Sequence, residues 1–281
     1  MLSSLGSRQR RVVYMEEVGS KKHAVLQEGN QRRYLTSGDD WHLYPDINFE
    51  GDKVVLVSGP DDQHLAVSVL DIDSGRETFV TSQSGRNLHP TFSGDGEKVA
   101  FSEETEEGLR HIAILDTPGE KSFEPPGQTI PRPRVVPGSD GGYFPSLSED
   151  GSQVLYQRAK DSKREIVSYD FVTGRERVLA EGMAPSLSFD DEHFAYTKKT
   201  DGEWNIHIQD LQTGEDRQVT HTPHFDFAPS FDSEGGLFFA SNRGGTFDIY
   251  HRPVGSLDDP KARAEVIAQG PETLYAPEAS R

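Results

Sequence analysis

Histidines that lead into a recurrent proline are the residues of this chain best placed to do chemistry. Four of the ten histidines lie in such segments: His42, His89, His221 and His224. Imidazole combined with a carboxylate such as Asp226 is a common metal-ligand set, and neighbouring aromatic rings can stack on a peptide or a sugar. No His-x-x-x-His spacing occurs, so the histidine pattern by itself does not select a metal site.

The recurrent proline marks a repeat of about 40–55 residues. Each proline opens a short apolar stretch, which is followed by a turn rich in Asp, Glu and Gly and then by three further apolar stretches. Four strands at this period are typical of a β-propeller blade. The anchors of the repeat are Pro45, Pro90, Pro145, Pro185, Pro229 and Pro277.

Turn residues recur in phase with the prolines. The first turn of each unit is predicted to be a two-residue hairpin whose glycine takes a positive φ, with Asp190-Asp191 in that place in the fourth copy. The glycines are Gly51, Gly96, Gly151 and Gly236. A later Asp-x-x-[Ser/Thr]-Gly, as in DIDSG at 71–75, predicts a turn in which the Asp side chain accepts backbone amides, rather than a calcium loop.

Three segments depart from the plain repeat. Residues 117–131 are Pro-rich and predict an extended surface loop, and the acidic run at 103–108 predicts a hairpin tip. The segment 256–268 carries a helix-start signal, for which we expect at most one helical turn before a strand at Glu265–Ala268.

The two ends of the chain are predicted to share one blade. The N-terminal stretches RRVVYMEEV, KKHAVLQEG and QRRYLTSG read as second, third and fourth strands, and LYAPEASR at 274–281 reads as a lone first strand. Pairing them removes two unpaired strand edges. We therefore predict an all-β fold in which residues 1–281 form one six-bladed propeller domain of four-stranded antiparallel blades. One blade is split between about 11–38 and 271–281, and the full blades span about 44–82, 88–137, 143–181, 184–220 and 227–269.

The repeated blocks resemble a known family. PSLSEDGSQVLYQ, PTFSGDGEKVAFS and APSFDSEGGLFFASNRGGTFDIYHRP resemble the Asp-Gly repeat of TolB-like propellers, in which Pro-x-[Phe/Trp]-Ser-x-Asp-Gly precedes an apolar strand, Ser-x-Arg-x-Gly and an Asp-Ile-Tyr strand. The resemblance covers roughly residues 11–281 and implies a six-bladed propeller. Since such propellers occur in envelope scaffolds, peptidase domains and sugar lyases, it implies no single activity.

In a propeller, the segments before the prolines surround the mouth of the central channel. The residues predicted to line this rim are His42, Tyr44, His89, Tyr143, His224, Asp226, Phe227 and Tyr275. They could simply plug the mouth, they could bind a partner, or they could hold a metal or act in catalysis. We expect a non-catalytic scaffold that binds a protein or peptide at this face. The alternative is a propeller-type sugar lyase or hydrolase with a His/carboxylate site, which could be metal-dependent.

Composition excludes several other classes. The chain has no cysteine, so it has no disulfide, thiolate zinc site or cysteine nucleophile. A formal net charge of −18 argues against binding to nucleic acid or to an anionic membrane. No Gly-x-Ser-x-Gly elbow, P-loop or dinucleotide motif occurs.

We predict no cofactor, although the possibility of a metal ion in the channel stays open. We expect a monomer that is not inserted in a membrane. A periplasmic or exported location after removal of a leader is favoured, with the cytoplasm as the alternative.

Overall fold

The computed structural model describes residues 11–82, 85–105, 107–117 and 132–269, together with the backbone of residues 274–279. The strands form six antiparallel sheets, which are the blades of a propeller. Blade I contains β1 (Arg11–Val18), β2 (Lys21–Glu28) and β3 (Gln31–Tyr34). Blade II contains β4 (Trp41–Ile47), β5 (Lys53–Gly59), β6 (Ala66–Asp71) and β7 (Glu77–Phe79). Blade III contains β8 (Arg86–Phe92), β9 (Lys98–Glu104), β10 (Arg110–Asp116) and β11 (Arg134–Val135).

The remaining blades follow the same order from the innermost to the outermost strand. Blade IV contains β12 (Gly142–Leu147), β13 (Gln153–Lys160), β14 (Lys163–Asp170) and β15 (Arg175–Glu181). Blade V contains β16 (Met183–Leu187), β17 (His193–Thr200), β18 (Glu203–Asp210) and β19 (Asp216–Gln218). Blade VI contains β20 (Asp226–Phe231), β21 (Leu237–Ser241), β22 (Asp248–Arg252) and β23 (Glu265–Ala268). The last strand, β24 (Leu274–Ala279), lies antiparallel to β1 as the innermost strand of blade I. The predicted six-bladed fold and its closure by the C-terminal strand are confirmed.

Side-chain packing also closes the ring. Each neighbouring pair of blades shares an apolar cluster, so the described residues form six clusters around the ring. Between blades VI and I, Tyr14 and Val25 pack with Phe238 and Ile249. Burial of such side chains is the main stabilising contribution to the fold.

The connection from the first to the second strand is longer than predicted. It holds five residues in each described copy, for example 48–52 and 93–97. The two-residue hairpin is therefore wrong, and the reason is that a polar side chain closes the longer loop. Ser93 Oγ accepts the Lys98 N–H at 2.9 Å and donates to Asp95 Oδ1 at 2.5 Å.

The positive φ angles are confirmed at Gly51, Gly96, Gly151 and Asp191, but the last copy uses Gly235 in place of Gly236. Gly236 is required for a different reason. A Cβ atom there would lie 2.6 Å from Asp232 Oδ2 and 2.8 Å from the Arg252 carbonyl oxygen.

The remaining local predictions have clear outcomes. Asp71 Oδ1 accepts the Ser74 N–H at 2.8 Å, which confirms the turn interpretation of 71–75. Within the segment 256–268 and the residues just before it, one 3-10 turn spans Val254–Ser256, and the strand Glu265–Ala268 is present. The acidic run at 103–108 lies at the β9–β10 hairpin. The Pro-rich loop falls almost wholly outside the described residues. In the part of the chain that the structure describes, no helix is long and apolar enough to cross a membrane.

Candidate functional site

A bulge in each inner strand sets the geometry of the channel mouth. The strand pairing shifts register at the proline in blades II to VI, and the residue before the proline takes a left-handed conformation. These residues are Tyr44, His89, Phe144, Ala184 and Ala228, with φ between 49° and 52°. A left-handed conformation is uncommon for residues other than glycine and is costly for bulky ones. Its repetition shows that the blade architecture imposes it.

Three of these bulge residues bring rings together at the mouth. The ring centroids of Tyr44 and His89 are 4.1 Å apart, and those of His89 and Phe144 are 3.9 Å apart. Blades V and VI present only Ala184 and Ala228 at the same position. At the bulge position itself, the mouth therefore carries a ring in blades II to IV and a small side chain in blades V and VI.

Further rings extend the cluster outward across blade VI. Phe227 lies 5.8 Å from Phe144, and Phe225 lies 5.5 Å from Phe227. Phe225 in turn contacts Trp204 at 5.9 Å and Phe247 at 5.8 Å. All of these side chains are half-buried, as are the others of the set. We call the set the mouth array: Tyr44, His89, Tyr143, Phe144, Trp204, Phe225, Phe227 and Phe247.

His89 lies in the array as a neutral ring. Burial lowers its pKa to about 3, and the nearby guanidinium groups of Arg110 and Arg86 act in the same direction. Its Nδ1 atom is buried and has no hydrogen-bond partner among the described residues. At neutral pH the side chain therefore offers a flat, uncharged surface.

An ion-pair network supports the array at blade III. Glu104 Oε2 accepts Nε of Arg110 at 2.6 Å and NH1 of Arg86 at 3.2 Å. The Arg110 guanidinium lies 4.5 Å from the centre of the Tyr143 ring. Such a cation–π contact fixes the ring against the rim.

Two residues predicted for the rim lie elsewhere. His42 is 5% exposed and points towards the layer between blades I and II, where its ring centroid is 5.7 Å from that of His23. Its Nε2 is 3.9 Å from Glu77 Oε2 on the outer strand β7, and burial lowers its pKa although Glu77 acts in the opposite direction. Asp226 occupies the equivalent place in β20, is fully buried, and accepts Arg243 NH2 at 2.9 Å. The two residues occupy equivalent places in their strands, but both side chains are buried and neither is exposed on the rim.

The other predicted residues divide into three groups. Tyr44, His89, Tyr143 and Phe227 come together in the array. His224 is exposed in the connection before β20, and no ring contact of its own is recorded. The side chain of Tyr275 lies outside the described residues, although its backbone pairs with Met15. Sequence reasoning missed Phe144, Phe225, Phe247 and Trp204, of which Phe144 could have been found from its position directly before Pro145.

Below the mouth, the channel narrows to a cavity of about 70 Å³ lined by the bulges and their prolines. Polar residues that follow the prolines tie neighbouring blades together. Asp46 Oδ2 accepts the Phe92 N–H at 2.8 Å, and Ser146 Oγ accepts the Leu187 N–H at 3.0 Å. Ligand pockets usually measure about 300–1,000 Å³, so this cavity cannot admit a peptide or a sugar chain.

Across the described residues, one group has three potential metal ligands close together: Asp190, Glu192 and His193. It lies in the loop from β16 to β17, on the face opposite the mouth. Asp190 Oδ1 already accepts the Ser188 hydroxyl at 2.5 Å and the Glu192 N–H at 3.0 Å. The geometry thus explains this group as a loop that closes on itself.

Comparison with known proteins places this geometry in context. No family model matches the chain. The Tol-Pal system protein TolB of Rickettsia felis is 32% identical over 97 residues, which are 33% of this chain and 22% of that relative. The matched part thus spans about a fifth of the length of the curated relatives.

Solved structures match over nearly the whole chain. TolB from Acinetobacter baumannii superposes with a TM-score of 0.78 at 19% identity, over 98% of this chain and 67% of that one. A putative TolB from Agrobacterium tumefaciens superposes with a TM-score of 0.67 at 16% identity, over 94% and 90% of the two chains. Likeness at these identities establishes the fold and leaves the activity open. The chain thus has a six-bladed β-propeller fold that is similar to the fold of TolB.

Proposed function

We propose that this propeller is a non-catalytic scaffold that binds a segment of a partner protein across the mouth of its channel. The mouth array carries the proposal, because it is a continuous set of half-buried rings with centroid separations of 3.9–6.2 Å along its length. Aromatic side chains are enriched at the centres of protein interfaces, where they contribute most of the binding energy.

The size of the channel defines how a partner would bind. A cavity of about 70 Å³ excludes a threaded chain, so the partner lies over the mouth and contacts rings from several blades.

The charge states at the mouth favour binding over catalysis. A propeller-type lyase or hydrolase would need a histidine or carboxylate free to exchange protons. Burial holds His89 neutral, and Asp226 is fully buried and paired with Arg243. No observation on the described residues favours the enzymatic alternative.

The named relatives suggest where to look for the partner. They are bacterial proteins named for the Tol-Pal system, so components of that system are the first candidates. An extracytoplasmic location, which the sequence favours, would be consistent with such a partner.

Site-specific photocrosslinking tests the proposal and identifies the partner. A photoreactive phenylalanine analogue at position 225 should form an adduct with one defined protein in the source cells, whereas the same analogue at position 49 should not. Phe49 is a matched control, because it is 45% exposed and lies in a loop on the opposite face.

With the identified partner purified, Phe225→Ala and Phe227→Ala should each weaken binding about tenfold or more, and Phe49→Ala should not. Equal affinities for all three variants would refute the proposal.

A further inference from the structure

A groove between blades IV and V opens on the same face as the mouth and has a volume of about 620 Å³. One wall is the β13–β14 hairpin, Ala159 to Arg164, and the other is formed by Lys198, Lys199 and Trp204. The link at Glu181 and Gly182 forms its floor. This volume lies within the usual range for ligand sites. We call it the basic groove.

The groove is positively charged in a strongly acidic protein. Five cationic side chains line it against two anionic ones, whereas the whole chain carries a formal charge of −18. The cations are Lys160, Lys163, Arg164, Lys198 and Lys199, and the anions are Asp161 and Glu181. Like charges gathered in one cleft repel each other, and its walls concentrate their field on an anion that enters.

Only part of this positive charge is neutralised within the protein. Lys163 Nζ lies 3.2 Å from Glu181 Oε2, but both side chains are largely exposed, and such surface pairs contribute little. Lys198 Nζ lies 2.6 Å from Asp216 Oδ2. Within the described ranges, no ion pair is recorded for Lys160, Arg164 or Lys199. These three cations are therefore available to a ligand.

The groove is continuous with the mouth array. Trp204 belongs to both, because it lines the groove and its ring centroid is 5.9 Å from that of Phe225. The Lys199 ammonium lies 5.7 Å from the centre of the Trp204 ring. One extended ligand can thus place carboxylates in the groove and, at the same time, contact the rings of the mouth.

We infer that the basic groove binds an acidic stretch of a polypeptide whose adjoining apolar residues lie on the mouth array. The inference rests on the proposed function, and it specifies the chemistry of the partner segment. One polypeptide can supply carboxylates for the groove and apolar side chains for the rings. A polyuronate or a nucleic acid offers no apolar residues, and its extended charge would meet repulsion from the acidic remainder of the protein.

A labelled synthetic peptide provides the probe, with a run of glutamates followed by leucine and phenylalanine residues. Binding is followed by fluorescence anisotropy. It is also followed by the emission of Trp204 in a Trp41→Phe protein, since the sequence contains two tryptophans. The peptide should bind wild type, weaken as salt rises because screening shortens the range of the attraction, and lose affinity when its glutamates are replaced by glutamines.

Paired charge reversals locate the site. Lys160→Glu combined with Arg164→Glu should weaken peptide binding about tenfold or more. Arg175→Glu combined with Arg177→Glu changes the net charge equally on the exposed strand β15 and should change affinity by less than about twofold. Thermal melting of all proteins checks that they are folded.

Three outcomes would overturn the inference: equal weakening by both double variants, equal affinity for the glutamine peptide, or tighter binding of a polyuronate oligosaccharide than of the acidic peptide. Its failure can be told apart from failure of the proposed function. If the groove alone is wrong, the crosslinked partner still depends on Phe225 and Phe227 but is indifferent to Lys160→Glu with Arg164→Glu.

Discussion

At the scale of single residues, the mouth depends on rings that the backbone forces into place. Tyr44, His89 and Phe144 all adopt φ near +50° directly before a proline. A strained residue of this kind persists only where the surrounding structure holds it, and such residues cluster at functional sites. These three rings are therefore preorganised, which lowers the entropic cost of binding a partner.

The neutral state of His89 predicts a pH dependence of stability. Its pKa of about 3 in the folded protein lies below the ordinary value of 6.5, so between these values the unfolded state binds more protons and stability falls as the pH falls. At pH 5 the loss relative to pH 7 is on the order of 1–2 kcal/mol for this group. His89→Phe should remove the contribution of His89 to this loss of stability, and it keeps a ring in the array.

Urea unfolding at pH 7 and pH 5 measures this effect. The exposed His224→Phe on the same face is the control and should retain the wild-type difference. Burial also lowers the pKa values of His23 and His42, so the His89 variant should reduce the pH effect without abolishing it. An unchanged difference in His89→Phe would contradict the neutral buried imidazole.

Sequence alone located only part of the mouth, and the reason is the bulge. Strand alternation assigns residues to faces by counting back from the proline, but a bulge sets two residues against one on the neighbouring strand and breaks that count. Tyr44 and His89 lie in the array because they precede the proline directly. His42 and Asp226 were misplaced because three positions back leads inside the blade. Trp204 lies on β18, which is not an inner strand. Its distance from the recurrent proline therefore does not predict a place at the mouth.

At the scale of elements, the five-residue loops explain the Ser-x-Asp-Gly part of the repeat. The hydroxyl of Ser93 accepts the Lys98 N–H, and that of Ser148 accepts the Gln153 N–H at 2.9 Å. The positions of the strands could be predicted because apolar runs and turn residues recur in phase. The loop length could not, because it depends on these side-chain bonds, which compete with the tighter backbone turn.

Ser93→Ala should destabilise the protein by about 1 kcal/mol, because it leaves the partly buried Lys98 N–H without its partner. Ser93 is 1% exposed. Ser74→Ala is the matched control: Ser74 donates to Asp71 in an exposed turn, and its loss should cost less than about 0.5 kcal/mol. Chemical denaturation of the two variants gives the comparison, and equal free energies of unfolding would show that the hydroxyl does not stabilise the loop.

At the scale of the whole molecule, the ring is closed by a strand that is remote in sequence from its neighbours. β24 pairs with β1, and the apolar cluster between blades VI and I contains residues from both ends of the chain. This closure could be predicted from sequence. The C-terminal segment reads as a first strand without a blade, and the three N-terminal strands read as a blade without its first strand.

Deletion of residues 271–281 should expose the edge of β1, lower the melting temperature by at least about 5 °C and promote aggregation. A synthetic peptide of the deleted sequence, added to the truncated protein, should restore the melting temperature, and a scrambled peptide should not. A truncated protein that stayed monomeric with an unchanged melting temperature would contradict closure by this strand.

Hydrogen–deuterium exchange on the complex with the crosslinked partner maps the bound face without any substitution, and so tests whether the partner lies on the mouth array. We expect slower exchange in the segments that carry the mouth array, residues 141–145 and 222–228, and along the 160–164 hairpin of the basic groove. The loops of the opposite face, such as residues 48–52 and 232–236, should exchange as in the free protein. Protection confined to those loops, with unchanged exchange at the mouth, would contradict the account.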